Sequence, residues 1–383
     1  MKVLVVAPLC PAPVDLGLKT HLAFVLETLA AEHTVEVVGF AATEAEERAW
    51  RQLAPAWGFR LRDVVRLRQG RGLAYERCRA LLRGEPVGVA HYRGAAAEQA
   101  IAAGLAAGPD RVVYFLYPTV GPTVCTERSR AVLLPVDCYS LYYGRLAKTE
   151  PRWWARRKAG WLARCFARWE RRYGEFGVVA PVGQVDALAL RRLAPQARVE
   201  VLPVAAKPMR ARERGPGLRV LVAGAFWMPA VEADTVRLLA SWRRGPEELL
   251  VWGRGASSRL RAAIAAAGGS YVEWVEDYEG FLASGDIYVY PQRAAAGLQT
   301  KVQQAMSAGL AVVAVPEILE ALGVDSDLAA VSAAPDGMAA AVRDLLEDHA
   351  RREATGQAAR EHIARHFAPE VVRGQLRRLL GEA

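Results

Sequence analysis

Cysteine is scarce in this chain of 383 residues, and the five present, at positions 10, 78, 125, 138 and 165, are scattered without a Cys-x-x-Cys pair. That spacing excludes a disulfide framework and a cysteine-built zinc site, and it points to a reducing cytoplasm. Long apolar runs are missing too: none approaches the ~18 residues that span a bilayer. The opening, MKVLVVAPL, carries no signal-peptide cleavage region and reads as a buried first strand. Acid is in short supply against base. With 50 Lys and Arg against 41 Asp and Glu the net charge is +9, which favours anionic partners: nucleotide diphosphates, phosphorylated acceptors or an anionic membrane surface. The rest is ordinary globular material, 52% hydrophobic and 24% charged, and long enough for two domains.

The chain is organised around residues 284–316, SGDIYVYPQRAAAGLQTKVQQAMSAGLAVVAVP. Ile287 to Tyr290, closed by Pro291, reads as a buried parallel strand. A loop with Arg293 and Gly297 leads into a helix starting near Leu298, with Val302, Ala305 and Met306 as its apolar stripe and Gly309 as its end. A further apolar run, Ala311 to Val315, stops at Pro316. This β-loop-α-β unit sets Arg293, Lys301 and backbone N–H groups at a helix N-terminus, a place suited to a phosphate. From the residues alone, an ordinary αβ unit with solvated cations stands level with that reading.

The stretch resembles the donor-site segment of glycosyltransferase family 4, in particular a bacterial subgroup reading roughly proline, arginine, then G-[IL]-Q-x-K-V-x-E-A-M-A. Pro291, Arg293, Gly297, Leu298, Gln299, Lys301, Val302, Ala305 and Met306 match it. The wider family has two glutamates eight positions apart, one near the donor sugar and one on the ribose hydroxyls; Ala296 and Gln304 stand there. Gln304 keeps an amide that can meet a diol, without the strength of a charged acceptor.

In chain order, the strand Lys2 to Ala7 runs through PLCPAPVDLGLKTH into a helix carrying Leu22, Val25, Leu26 and Leu29 inward. Val35 to Phe40 is the second strand, and a basic segment, Arg60 to Arg71, is a solvated strand and loop between helices near 43–54 and 73–83. Val112 to Tyr117 and Ala131 to Val136 are strands, the latter putting Asp137 at a carboxyl edge, where it serves either the site or the cap of the next helix. Residues 151–173 carry eight basic residues and one acid. At helical spacing Trp154, Trp161, Leu162, Cys165, Phe166, Trp169 and Tyr173 share a face, expected to pack inside; a helix lying on an anionic membrane is the alternative. Arg219 to Ala223, Glu248 to Trp252 and Tyr271 to Val275 are strands of a second domain, and residues 335–381 form two or three helices. The run GRGASS at 253–258 is a truncated dinucleotide fingerprint, but no convincing acid ends the following strand, so NAD is not expected.

The resemblance implies an α/β protein of two doubly wound Rossmann-like domains facing across a cleft, the GT-B architecture. Its parts would be an acceptor-side domain over 1–205, a nucleotide-sugar donor domain over 206–365, and a helix over 366–383 returning to the first. The function it implies is glycosyl transfer from a nucleotide-diphosphate sugar, with retention, to a glycan, lipid-linked or natural-product acceptor. Arg293, Lys301 and Asp137 are the expected catalytic residues; Gly224, Arg254, Val275, Glu276, Gly297, Leu298, Gln299, Thr300 and Gln304 bind the donor; Asp15, Gly17, Lys19 and His21 lie on the acceptor side. It implies no metal or other cofactor and no nucleic-acid partner. The expected location is the cytoplasm, with peripheral contact at the inner membrane face left open. The missing acids support a competing reading, a non-catalytic GT-B binding or scaffold protein, and a sugar-nucleotide epimerase stands third.

Overall fold

A computed structural model describes residues 1–14, 17–120, 127–212, 215, 217–324 and 330–381. The chain forms two compact units: Met1–Ser140 with Leu162–Ala205 and Val372–Ala383, and Leu141–Trp161 with Ala206–Val371. The sequence reading divided it at 205 and 365; here residues 141–161 group with the second unit, and the return to the first falls at 372.

The first unit holds seven parallel strands: β1 (Lys2–Ala7), β2 (Thr34–Ala41), β3 (Arg60–Arg66), β4 (Arg111–Phe115), β5 (Ala131–Val136), β6 (Val178–Pro181) and β7 (Arg198–Val199). Their order is β3-β2-β1-β4-β5-β6-β7. Val3 to Ala7 are at most 1% exposed, because a strand covered on both faces needs apolar residues continuously and not in alternation. β3 lies at the edge and buries only Val65 of its seven residues, which is how a strand reading RLRDVVR is tolerated. The order reverses between β1 and β4, the position at which open α/β sheets bind ligands beyond their carboxyl ends.

The second unit repeats the plan with β8 (Arg219–Ala223), β9 (Glu248–Trp252), β10 (Ser270–Val272), β11 (Ile287–Tyr290), β12 (Ala311–Ala314) and β13 (Ala330–Ser332), ordered β10-β9-β8-β11-β12-β13. Its reversal lies between β8 and β11. The helix Thr300–Ala308 ends at Gly309, whose φ of +86° lets its N–H reach the Ala305 and Met306 carbonyls.

The helix Trp153–Glu170 departs from expectation. Cys165, Phe166 and Trp169 are buried as its apolar stripe requires, and Tyr173 just beyond is buried too. Trp154, assigned to the same packed face, is 51% exposed, and its neighbour Trp153 is 67% exposed. The stripe is covered at the C-terminal half only, and at the first turn the Arg152 guanidinium lies 4.8 Å from the Trp154 ring centroid. Among the described residues no helix is long and apolar enough to cross a membrane.

Candidate functional site

At the reversal of the second sheet, β11 delivers its chain into residues 291–299. The Tyr290 hydroxyl donates between the amide oxygens of Gln292 (2.9 Å) and Gln299 (3.1 Å). Gln292 Nε2 then donates to the Ala294 carbonyl and Gln299 Nε2 to that of Ala296. The loop is thus braced from within, with Ala294, Ala295 and Ala296 buried. Gln299, expected at the donor, spends both amide atoms on this brace, and Leu298 is buried. Gly297 takes φ +66°, which turns the chain into the 300–308 helix.

Arg293 is gripped by a residue that sequence reasoning missed. Asp234, on the helix Pro229–Ala240 and 1% exposed on its side chain, accepts from the Arg293 backbone N–H (3.1 Å) and Nε (2.8 Å) and pairs with Nη2 (2.6 Å). The guanidinium is left 29% exposed. An acid in the second turn of a helix opened by Pro229 looks like an ordinary solvated helix residue, so its sequence gave no sign of this partner.

Lys301 differs. Its ammonium lies 4.3 Å from the centroid of the Trp252 ring, at the end of β9, and among the described residues it meets no carboxylate. Burial pushes its pKa below the ordinary lysine value, since a desolvated ammonium without an anion is costly. The Val302 and Gln303 N–H groups both turn back to the Gln299 carbonyl, which leaves the first-turn amides of Thr300 and Lys301 facing outward from the helix start. Gln304, one turn on, is half-buried.

Other donor-side expectations fall around the same edge. A Cβ on Gly224 would come within 2.3 Å of the Phe226 ring, so packing alone accounts for the glycine. Gly253 has φ +145°, and a Cβ there would meet the Gly224 carbonyl oxygen at 1.8 Å. The Gly-x-Gly pair at 253–255 therefore serves close loop packing and not a dinucleotide. Arg254 is exposed and stacks on Trp274 at 4.3 Å, beside Val275 and the exposed Glu276.

In the first unit, Val136 at the end of β5 has φ +69°, and Asp137 N–H turns back to the Pro135 carbonyl at 3.0 Å. Leu116, just past the end of neighbouring β4, also has φ +69°. These are the non-glycine residues with positive φ among those described, and both stand at adjacent carboxyl ends of the sheet, where strained backbone often accompanies function. Asp137 does not cap the helix Tyr139–Thr149. The Cys138 and Ser140 N–H groups go to Asp186 (2.7 Å) and Glu170 (3.1 Å), two buried acids that the sequence gave no reason to single out. Desolvation, with Asp186 close by, raises the Asp137 pKa well above the usual carboxylate range.

On the acceptor side, Asp15 lies outside the described residues. Gly17 opens the helix Gly17–Glu32, and Lys19 Nζ donates to the Pro13 carbonyl at 3.2 Å. His21 is not presented for binding: it is fully buried, 5.5 Å from the Phe115 ring, with neither ring nitrogen bonded. It shares the inward stripe with Leu22, Val25 and Leu29, and desolvation lowers its pKa to about 4.

Glu170 is the opposite case. Burial raises its pKa to about 7 despite the bonds from Ser140 and Cys138. The folded chain holds this proton after the unfolded chain, at 4.5, has released it, so Glu170 lowers stability as pH rises from about 4.5 to about 7. His21 acts against it between about 4 and 6.5, where the unfolded imidazole binds the extra proton. Comparing the urea midpoints of wild type and Glu170→Gln isolates the carboxyl: the variant gains about 3 kcal/mol relative to wild type across that window. A constant difference from pH 5 to 8 would remove the buried ionisable role.

Residues 234–348 match the family model described as glycosyl transferases group 1. No curated protein matches the sequence. Among solved structures, sucrose-phosphate synthase from Thermosynechococcus elongatus is 15% identical with a TM-score of 0.68, over 100% of this chain and 99% of that one. WaaG, a glycosyltransferase involved in lipopolysaccharide biosynthesis, is 16% identical at 0.63 over 100% of both chains. HepE of Anabaena, in complex with UDP-glucose, is 13% identical at 0.58 over 100% and 99%. At such identities the likeness is one of fold: two parallel-sheet α/β domains matching GT-B glycosyltransferase structures.

Proposed function

We propose that the chain is a glycosyltransferase of family 4 that moves a sugar from a nucleotide diphosphate to an acceptor with retention of configuration. The observation that carries this reading is Lys301, a half-buried cation over Trp252 that among the described residues meets no carboxylate, in the first turn of a helix. A diphosphate there would meet Lys301, the exposed part of Arg293 and outward backbone N–H groups. Those donors would stabilise the charge that grows on the departing diphosphate as the glycosidic bond breaks. Arg254 and the 275–276 loop would lie toward the base, and Asp137, Gly17 and Lys19 would serve the acceptor. Titration with UDP, GDP and ADP by calorimetry, followed by NMR of the matching nucleotide sugars, tests it. Binding of one diphosphate with donor consumption supports the transferase, and the anomer of the product reports stereochemistry; no binding of any of them overturns it.

A second reading, a binding protein without turnover, rests on the alanine at 296, buried in its loop, and on Gln304. Gln304→Glu separates the two. In a working transferase a carboxylate accepts from the ribose hydroxyls about twice as strongly as a neutral amide, so ribonucleotide binding should tighten by about 1–2 kcal/mol. The deoxyribose analogue should change less. Ribose is remote from the bond that breaks, so the effect belongs to ground-state affinity more than to chemistry. No change with either ligand favours the retired site.

A further inference from the structure

The exposed tryptophans at the start of the Trp153–Glu170 helix play no part in the donor chemistry. Trp153 and Trp154 are 67% and 51% exposed, although indoles are among the costliest side chains to leave in water. Arg156, Arg157 and Lys158 follow at three- and four-residue spacing and are all exposed. Among the described residues none of these three side chains meets a carboxylate. Arg152 is satisfied locally, by Glu150 at 2.6 Å and by the Trp154 ring. The turn therefore presents two adjacent amphipathic rings ringed by unneutralised cations, all within residues 152–158.

We infer that this turn seats the protein on an anionic lipid bilayer. Cations alone would suit any polyanion. Indoles are enriched where an apolar body meets hydrocarbon and a polar N–H meets headgroups, and cations beside them meet the negative surface of the leaflet. Charge complementarity and the apolar pair thus select the same occupant. A second helix, Gly70–Leu82 of the first unit, repeats the composition: Tyr75 is 68% and Leu82 90% exposed, with Arg71, Arg77, Arg79 and Arg83 exposed among them.

Co-sedimentation of the full chain with vesicles of phosphatidylglycerol and phosphatidylcholine tests the inference, with pure phosphatidylcholine as the neutral control. The expected result is binding to the anionic vesicles only, part of it surviving about 0.5 M NaCl, where exposed charge attraction is largely screened. Trp153→Ser with Trp154→Ser should weaken binding at least tenfold and abolish the salt-resistant part. Arg156→Gln, Arg157→Gln and Lys158→Gln together should weaken it at low salt. Quenching of wild-type fluorescence by brominated lipid needs no variant and should be absent with neutral vesicles. No sedimentation, binding wholly lost to salt, or binding indifferent to the tryptophan pair would each overturn the bilayer assignment, the last two in favour of a merely polyanionic partner.

Discussion

Arg293→Met should destabilise the second unit by about 3–5 kcal/mol, the cost of orphaning a buried carboxylate. Asp234 is the group left behind. At 1% exposure it keeps the backbone N–H of residue 293 and loses the two guanidinium bonds, while methionine fills the volume without supplying a donor. For a unit of this size the melting temperature should fall by roughly 6–20 °C. Replacing both partners, with Asp234→Asn beside Arg293→Met, should recover part of the loss, because a neutral amide costs less to bury than a carboxylate. The guanidinium itself is 29% exposed, so the reverse deletion, Asp234→Ala, should cost less than Arg293→Met. Equal melting temperatures for Arg293→Met and wild type would show that the pair is incidental. The comparison also tells what the arginine is for. A residue held chiefly for phosphate would lose nucleotide affinity and little stability, and the grip of Asp234 argues for both.

Lys301→Ala should weaken nucleotide-diphosphate binding by about 1.5–3 kcal/mol, roughly 10- to 150-fold, the range for a charge-assisted hydrogen bond. Its effect on stability should have the opposite character. The ammonium is desolvated with only the face of Trp252 to offset it, so its removal relieves a cost in the free protein. Melting temperature should therefore stay level or rise without ligand and fall behind wild type once a diphosphate is present. Lys301→Arg should fail to rescue fully, since a wider planar head does not fit the place of a point charge over an indole. Calorimetry with each nucleotide, paired with melting curves in its presence and absence, reads both halves. Unchanged affinity for every nucleotide that binds wild type would remove Lys301 from the phosphate site.

Much of the frame is visible in the sequence because parallel strands buried on both faces must be written as unbroken apolar runs, as VLVVA at 3–7 and IYVY are. Strand ends followed by Gly, Pro or Asp mark the carboxyl edges, which is why the 291–301 loop and Asp137 could be placed just past β11 and β5. What stayed hidden is pairing across sequence distance. Asp234 reaches residue 293, Asp186 reaches 138 and Glu170 reaches 140, and none of these acids differs locally from a solvated helix residue. His21 was assigned to the acceptor side through the resemblance alone, whereas here the apolar stripe of its helix carries it inside. Trp154 erred the other way, since periodicity gives a face but not how far along the helix that face is covered.

The return of the chain at residue 372 bears on how the protein is made. Arg377 pairs with Glu32, and the Leu380 carbonyl takes the Arg111 Nε at 2.7 Å, so the first unit is fastened by residues synthesised after all of 206–371. At ~5–20 residues per second those intervening residues delay the fastening by roughly ten to thirty seconds. During that interval the nascent first unit carries its seven-stranded sheet without its final clasp, and the apolar residues that Val372, Leu376 and Leu379 will cover stay open to chaperones and proteases. A stop codon at 371 would therefore harm the unit made first.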